Sequence, residues 1–192
     1  MRLTLAAFWI IMDRWNKDDN LFTELFLRLI PYQAERITEE NVSRVHALLS
    51  SNTDYFHATQ PYPVSREDCI ADITALPPGK SMADKNYLLL SDEVGDLAVI
   101  DFIEKYPDSA SGYLGFFILA NERHHQGIGK RLLKMLEEAA RQCGFSRIEL
   151  ACFASNEPGL RFWKKEGYQS IRTSKRIIDN ISYTILSLEK QL

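Results

Sequence analysis

Cysteine, surplus charge and long apolar runs are all scarce in this chain. Its 192 residues include three cysteines, Cys69, Cys143 and Cys152. The count is odd, and neither a CxxC pair nor a Cys/His ligand spacing occurs, which argues against a disulfide framework and a zinc site. The thiols read as free, and no metal is expected. Twenty-three basic residues face 26 acidic ones, for a net charge of −3. A general nucleic-acid binder would carry a basic excess, so no nucleic-acid partner is expected. The apolar stretch from Leu3 to Met12 is too short to span a bilayer, and Asp13-Arg14 follows it instead of a small-residue cleavage site. The reading is a cytoplasmic protein with no membrane partner. Internal repeats and low-complexity segments are missing too, which excludes solenoid and linker-like architectures.

What is present fits one α/β domain with an appendage. The hydrophobic share is 45% and the charged share 26%, ordinary for a globular protein. A chain of this length buries roughly 70% of the surface its unfolded form exposes, enough to fold without covalent staples. Residues 1–31 form an N-terminal extension. There Asp18-Asp19-Asn20 can cap a helix whose apolar stripe is Leu21, Phe22, Leu25, Phe26 and Leu29, and Pro31 ends it. That helix reads as packing, as a lid or as a contact to a second copy in a homodimer. From residue 32 to 192 the pattern is regular. Tyr32 to Ile37 alternates as a strand, and Thr38 can cap the helix that buries Val42, Val45, Leu48 and Leu49. Another helix runs from Arg66 to Leu76, after a polar and aromatic stretch. Strands at Tyr87–Ser91, Leu97–Glu104 and Tyr113–Leu119 are joined by short turns, which predicts an antiparallel meander. Lys130 to Gln142 is a strong helix stopped by Gly144. A strand at Ile148–Phe153, a helix at Pro158–Glu166 and two strands around Asp179-Asn180 complete the chain. The order β-α-α-β-β-β-α-β-α-β-β predicts a mixed sheet with helices on both faces, parallel where the 130–142 helix crosses over.

The segment with the most chemistry is Arg123-His-His-Gln-Gly-Ile-Gly-Lys-Arg131. A helix start offers unpaired N–H groups and about half a positive charge, and glycines let a phosphate approach the backbone. Lys130 and Arg131 occupy a first turn where cations cost roughly 0.3–1 kcal/mol each, a cost that a bound phosphate would reverse. Two other phosphate motifs do not fit. A dinucleotide fingerprint needs a third glycine where Leu132 stands, and a P-loop needs glycine at His124 and a hydroxyl residue at Arg131.

With these residues in view, the sequence resembles the GNAT superfamily of N-acetyltransferases. His124-His-Gln-Gly127-Ile-Gly129 is similar to that family's Gln/Arg-x-x-Gly-x-Gly/Ala phosphate motif. The segment from Asn156 through Phe162-Trp163 to Gly167-Tyr168 is similar to its Asn-x-x-Ala-x-x-Phe-Tyr/Trp-x-x-x-Gly-Phe pattern. The resemblance implies a GNAT-like α/β fold, a mostly antiparallel sheet splayed at its centre with helices on both faces. It also implies acetyl-CoA as cosubstrate. Main-chain groups of Phe117, Ile118 and Leu119 would pair with the pantetheine arm, and the His124, His125, Gln126, Gly127, Ile128, Gly129 and Lys130 segment would hold the pyrophosphate. Asn156, Phe162 and Trp163 would line the coenzyme's other side. The sequence departs from the family twice. His124 replaces the Gln/Arg, and Trp163 stands where many members carry a tyrosine proposed to protonate the leaving thiolate, which an indole cannot do at neutral pH.

The implied reaction is direct attack of an amine, from a small molecule or a peptide, on the thioester. A lysine-like amine costs about 4–5 kcal/mol to neutralise at pH 7 and an α-amine only about 1. Candidate bases are Asp101, set in an apolar strand, then Glu149, with Glu104 on the same strand as Asp101 a further carboxylate and Tyr106 in support. Tyr55, Phe56 and Gln60 combine stacking surface with hydrogen-bond groups and are the candidate acceptor contacts. The alternative reading is a non-catalytic acyl-CoA-binding sensor or interaction module.

Overall fold

The computed structural model describes residues 21–192. The expected Asp18-Asp19-Asn20 cap and the apolar stretch before it lie outside the described residues. The helices are α1 (Leu21–Leu29), α2 (Val42–Ser50), α3 (Thr53–Thr59), α4 (Arg66–Thr74), α5 (Ile128–Gln142) and α6 (Glu157–Lys165). The strands are β1 (Gln33–Arg36), β2 (Lys85–Asp92), β3 (Gly95–Glu104), β4 (Ser111–Leu119), β5 (Arg147–Phe153), β6 (Gln169–Ile178) and β7 (Ile181–Gln191). They form one sheet in the order β1-β2-β3-β4-β5-β7-β6. All neighbours are antiparallel except β4 and β5. This is the expected mixed, mostly antiparallel arrangement, with the parallel pair where α5 crosses over.

Local chemistry explains most of the boundaries. Asp179 and Asn180 adopt φ of 46° and 62°, the left-handed pair that closes a two-residue hairpin, so β6 and β7 pair from Ile178–Ile181 outward. Ser65 and Asp68 form a reciprocal capping box at the start of α4, which satisfies two orphan amides. Several features differ from the sequence expectation. Thr38 caps no helix; Asn41 stands at the N-cap of α2, and its side chain instead accepts from the Thr38 N–H at 2.9 Å. The polar and aromatic stretch, given no element from the sequence, contains α3, whose seven residues are too few for periodicity to reveal. Helix α5 starts at Ile128, two residues earlier than Lys130.

The alternation of β2 and β3 sorts side chains into two cores. One holds Leu88, Leu90, Ile100 and Phe102 under α1, α5 and α6. The other holds Leu89, Val99 and Ile118 under α2, α3 and α4. Helix α1 is part of the first core: Phe22 and Phe26 are fully buried, and the Phe22 ring stacks on Phe102 at 3.9 Å between centroids. Beneath it Thr23 donates to the Asn86 side chain, which in turn donates to the Phe102 carbonyl at 3.1 Å. On α5, buried Glu137 accepts from Lys190 of β7 at 2.6 Å, tying the crossover helix to the far half of the sheet.

Truncating a fully buried phenylalanine costs about 3–5 kcal/mol through lost transfer energy and the cavity left behind. Phe26→Ala should therefore lower unfolding stability by that amount in a denaturant titration, whereas an equivalent change at exposed Leu21 (55% exposed) should stay within about 0.5 kcal/mol.

Candidate active site

The sheet forks at its centre. Strands β4 and β5 pair only from Ser111–Arg147 to Leu114–Leu150, although β4 continues to Leu119 and β5 to Phe153. The cause lies in β4. Its register to β3 slips between Leu114 and Phe116, which leaves Gly115 as a bulge residue, and a bulge bends a strand away from its neighbour. Past the bulge, Phe116, Phe117, Ile118 and Leu119 remain bonded to β3, so their β5-facing backbone edge is open. An extended chain could add there as a strand does at a sheet edge.

The chain leaving β4 turns directly into the expected anion site. His125 and Gly127 have φ of 60° and 72°, and such left-handed residues curl successive amides toward a common point. Gly127 is the N-cap of α5, and among the described residues no side chain caps the helix. The first closing bond runs from the Arg131 N–H to the Gly127 carbonyl at 3.2 Å. Among the described residues the amides of 126–130 find no backbone partner. Donors and helix dipole thus point the same way. Lys130 and Arg131 are exposed there. Two flanking side chains are already engaged: Arg123 pairs with Asp92, and the His124 Nε2 sits 3.3 Å from the Leu119 carbonyl. The Gln126 side chain donates to the Glu122 carbonyl at 2.9 Å.

The second motif closes the other wall. Asn156 caps α6 by accepting from the Gly159 N–H at 3.1 Å. A Cβ at Gly159 would stand 2.4 Å from the Asn156 Nδ2, so glycine is required while this cap holds. Phe162 stacks on Phe117 at 6.3 Å, and Phe117 lies 5.8 Å from Trp163. Trp163 is buried between Phe162 and Tyr168. The structure therefore brings β4, the α5 entrance and α6 together. Gly129 lies among them, with Leu119 and Phe162 bordering its Cα.

The candidate proton-handling residues separate. Glu104 is buried and accepts from the Asn86 side chain at 3.3 Å. Tyr106 sits edge-on to Tyr113 at 5.3 Å. Glu149 lies opposite Tyr113 in register and accepts from Arg147 at 3.1 Å. Burial, aided by Tyr106 and Glu149, pushes the Tyr113 phenol up. This group belongs to the paired part of β4 and β5. Asp101 stands at the fork itself: its Oδ2 is 3.0 Å from where a Gly115 Cβ would be. Burial holds the Asp101 carboxyl above the usual carboxylate range, partly offset by Lys85. Of the acceptor candidates, Tyr55 meets Phe116 edge-on at 6.0 Å, and burial pushes its phenol up to about 12. Phe56 is buried in the α2–α4 core. The Gln60 side chain donates to the Tyr62 carbonyl at 3.0 Å.

Residues 45–168 match the Acetyltransferase (GNAT) family. The chain belongs to this family. Its GNAT fold is shared with solved structures of low sequence identity. An acetyltransferase from Thermus thermophilus is 16% identical with a TM-score of 0.66, over 85% of this chain and 99% of that one. The paia N-acetyltransferase from Thermoplasma acidophilum, solved with coenzyme A, is 17% identical with a TM-score of 0.58, over 85% and 100%. The ribosomal-protein-S18-alanine N-acetyltransferase of Escherichia coli is 10% identical with a TM-score of 0.59, over 83% and 93%. No curated protein matches the sequence. Among the described residues no helix is long and apolar enough to cross a membrane, and no cluster of His, Cys, Asp and Glu could hold a metal ion.

Two side-chain contacts around the fork were not read from the sequence. Asn52, 3% exposed, donates to the Leu119 carbonyl at 3.0 Å and so fixes the end of β4. Lys85, buried at the start of β2, donates to the Asp101 Oδ2 at 2.6 Å. Counting back from the Asp92–Gly95 turn without a bulge would place Asn86 opposite Asp101. The irregularity between Leu90 and Ser91 places Tyr87 there instead, and with it Lys85 on the Asp101 face.

A larger residue at the bulge should disturb this pair. Gly115→Val is expected to push the Asp101 carboxylate off Lys85 and lower stability by about 1–3 kcal/mol, measurable by denaturant unfolding.

Proposed function

We propose that this acetyltransferase is an N-acetyltransferase that takes acetyl from acetyl-CoA and passes it to an amine of a small molecule or peptide. The observation that carries this reading is the fork: an open β4 edge running directly into an uncapped, left-handed helix entrance. An edge that wants a strand and a cradle that wants a diphosphate, joined by a few residues, suit a pantetheine arm ending in a pyrophosphate. The residues fit the coenzyme. The backbone of Phe117, Ile118 and Leu119 would hold the arm, the amides of Gln126, Gly127, Ile128, Gly129 and Lys130 the pyrophosphate, and Phe162 with Asn156 the far wall. His125 and His124 would flank the phosphates. When bound, the coenzyme supplies an acyl group activated as a thioester.

The chain's own contribution is orientation and proton handling. Main-chain N–H groups of β4 past the bulge would stabilise charge on the thioester oxygen. A neutral amine attacks the carbonyl carbon, the C–N bond forms as the C–S bond breaks, and the electron pair leaves on sulfur. Asp101, at the fork, accepts the amine's proton. Trp163 offers no exchangeable acid, so the thiolate takes its proton from solvent. Glu149 and Tyr106, grouped with Tyr113 on the paired part of β4 and β5, are assigned no step in the transfer. Tyr55 would present its ring to the acceptor beside Phe116, and Gln60 its amide at the rim, while Phe56 supports α3 from the core. The relatives named as N-acetyltransferases lend the amine acceptor its support.

Thiol release against a panel of amines tests the assignment. Turnover with at least one amine is expected. Tight coenzyme binding with no transfer to any amine would overturn it in favour of an acyl-CoA sensor. Gly127→Glu places bulk and negative charge in the cradle and should weaken coenzyme A binding at least about 100-fold by calorimetry; retention within a few-fold would misplace the phosphates. Asp101→Asn should lower kcat at least about tenfold while the KM for acetyl-CoA changes little, read from steady-state rates at about pH 6–9.

A further inference from the structure

The Lys85–Asp101 pair holds more than a structural ion pair needs. Lys85 is 1% exposed and its ammonium has three partners: the Asp101 Oδ2 at 2.6 Å, the Ala75 carbonyl at 3.0 Å and the Tyr87 ring at 4.9 Å. Ala75 is the C-cap of α4, so the negative end of that helix and the aromatic face hold the cation independently of Asp101. Asp101 is less complete. Its second oxygen, Oδ1, is buried without a hydrogen-bond partner among the described residues. Burying two charges is costly, and an apolar pair of similar volume often serves stability as well or better. An ion pair with an anchored cation, an unfilled acceptor and a position at the fork fits a proton-handling role.

We propose that Lys85 is a positioning residue for acetyl transfer, an anchored cation that keeps Asp101 ionised in its buried setting and returns it to the carboxylate after each turnover. The proposal rests on the N-acetyltransferase reading given above. The sign follows from the groups around Asp101. Burial favours its neutral acid, Asp72 of α4 adds to that, and Lys85 opposes both. Tyr87 beside it and Cys69 of α4 are held neutral by burial, their hydroxyl and thiol pushed up. Arg176 of β6 reaches Asp72. Lys85 is thus the cation in contact with the carboxylate. When Oδ1 takes the amine's proton, Lys85 keeps its own three protons and faces a neutral acid. That state is disfavoured because the cation has lost its counter-charge while α4 still holds it in place. The proton then leaves Oδ1 for water and the carboxylate reforms.

The test combines carbon-13 titration of the Asp101 carboxyl with pH–rate profiles. In Lys85→Met the Asp101 midpoint should rise by at least about one pH unit, because burial then acts unopposed. The acid limb of kcat/KM should move up with it, rates should recover toward about pH 9, and the KM for acetyl-CoA should change less than about twofold. Lys85→Arg should restore most of the wild-type profile. An unchanged midpoint, or a rate loss equal at every pH, would overturn the proposal. Should Lys85→Met fail to fold, the unmodified protein still decides: the Lys85 nitrogen-15 shift must move at the Asp101 midpoint, and independence of the two titrations would refute the pairing. Both titrations need no turnover, so a protein that acetylates no amine would sink the functional reading while leaving this measurement intact.

Discussion

The structure depends on the parting of β4 from β5. A parallel pair that ran its full length would close the centre of the sheet and leave no backbone edge free there. The bulge at Gly115 ends the pairing after Leu114 and Leu150. Everything functional is arranged about that fork. The freed edge of β4 lies on one side of it, the α5 entrance follows at its outer end, and the aromatic wall of α6 stands opposite. A Cβ at the bulge would stand 3.0 Å from the Asp101 Oδ2, a tight contact, so the residue that opens the sheet also makes room for the charge beside it.

The fork divides the electrostatics. Toward α5 the field is positive and built largely from the main chain: unpaired amides, a helix dipole and two exposed cations in the first turn. That arrangement disfavours the empty state and favours an anion. Toward α3 and α4 the charges are side chains and nearly balanced, with Asp101 and Asp72 against Lys85 and Arg176, among aromatic rings. One side suits a diphosphate by main-chain geometry. The other suits a group that gains or loses a proton, because burial there makes protonation sensitive to small changes in neighbouring charge.

Helix α1 shows how firmly the N-terminal segment belongs to the fold from Leu21 onward. Its two buried phenylalanines extend the core over β2 and β3, and Thr23 and Asn86 satisfy each other beneath it. The same core carries α5, whose first turn is the anion site. Core packing on that face therefore reaches the site through a continuous set of contacts from Phe22 through Phe102 to the strands that flank the fork.

Sequence alone determined the features governed by neighbours along the chain. The hairpin at Asp179-Asn180, the stop at Gly144, the meander of β2 to β4 and the glycine-bearing entrance at Gly127 all follow from local backbone preference and short-range periodicity. The family resemblance set Phe117 on one side of the coenzyme and Phe162 and Trp163 on the other, and the structure places the three rings within 6.3 Å of one another. The tertiary structure alone decided whatever depends on register. Tyr106 and Glu149 stand apart from Asp101, Arg123 is spent on Asp92, and Lys85 is brought to Asp101 by a one-residue irregularity in the β2–β3 pairing. A side chain's face in a sheet flips with each single-residue shift. Bulges at Leu90–Ser91 and at Gly115 therefore set which charges meet, and no pattern read along one strand records them.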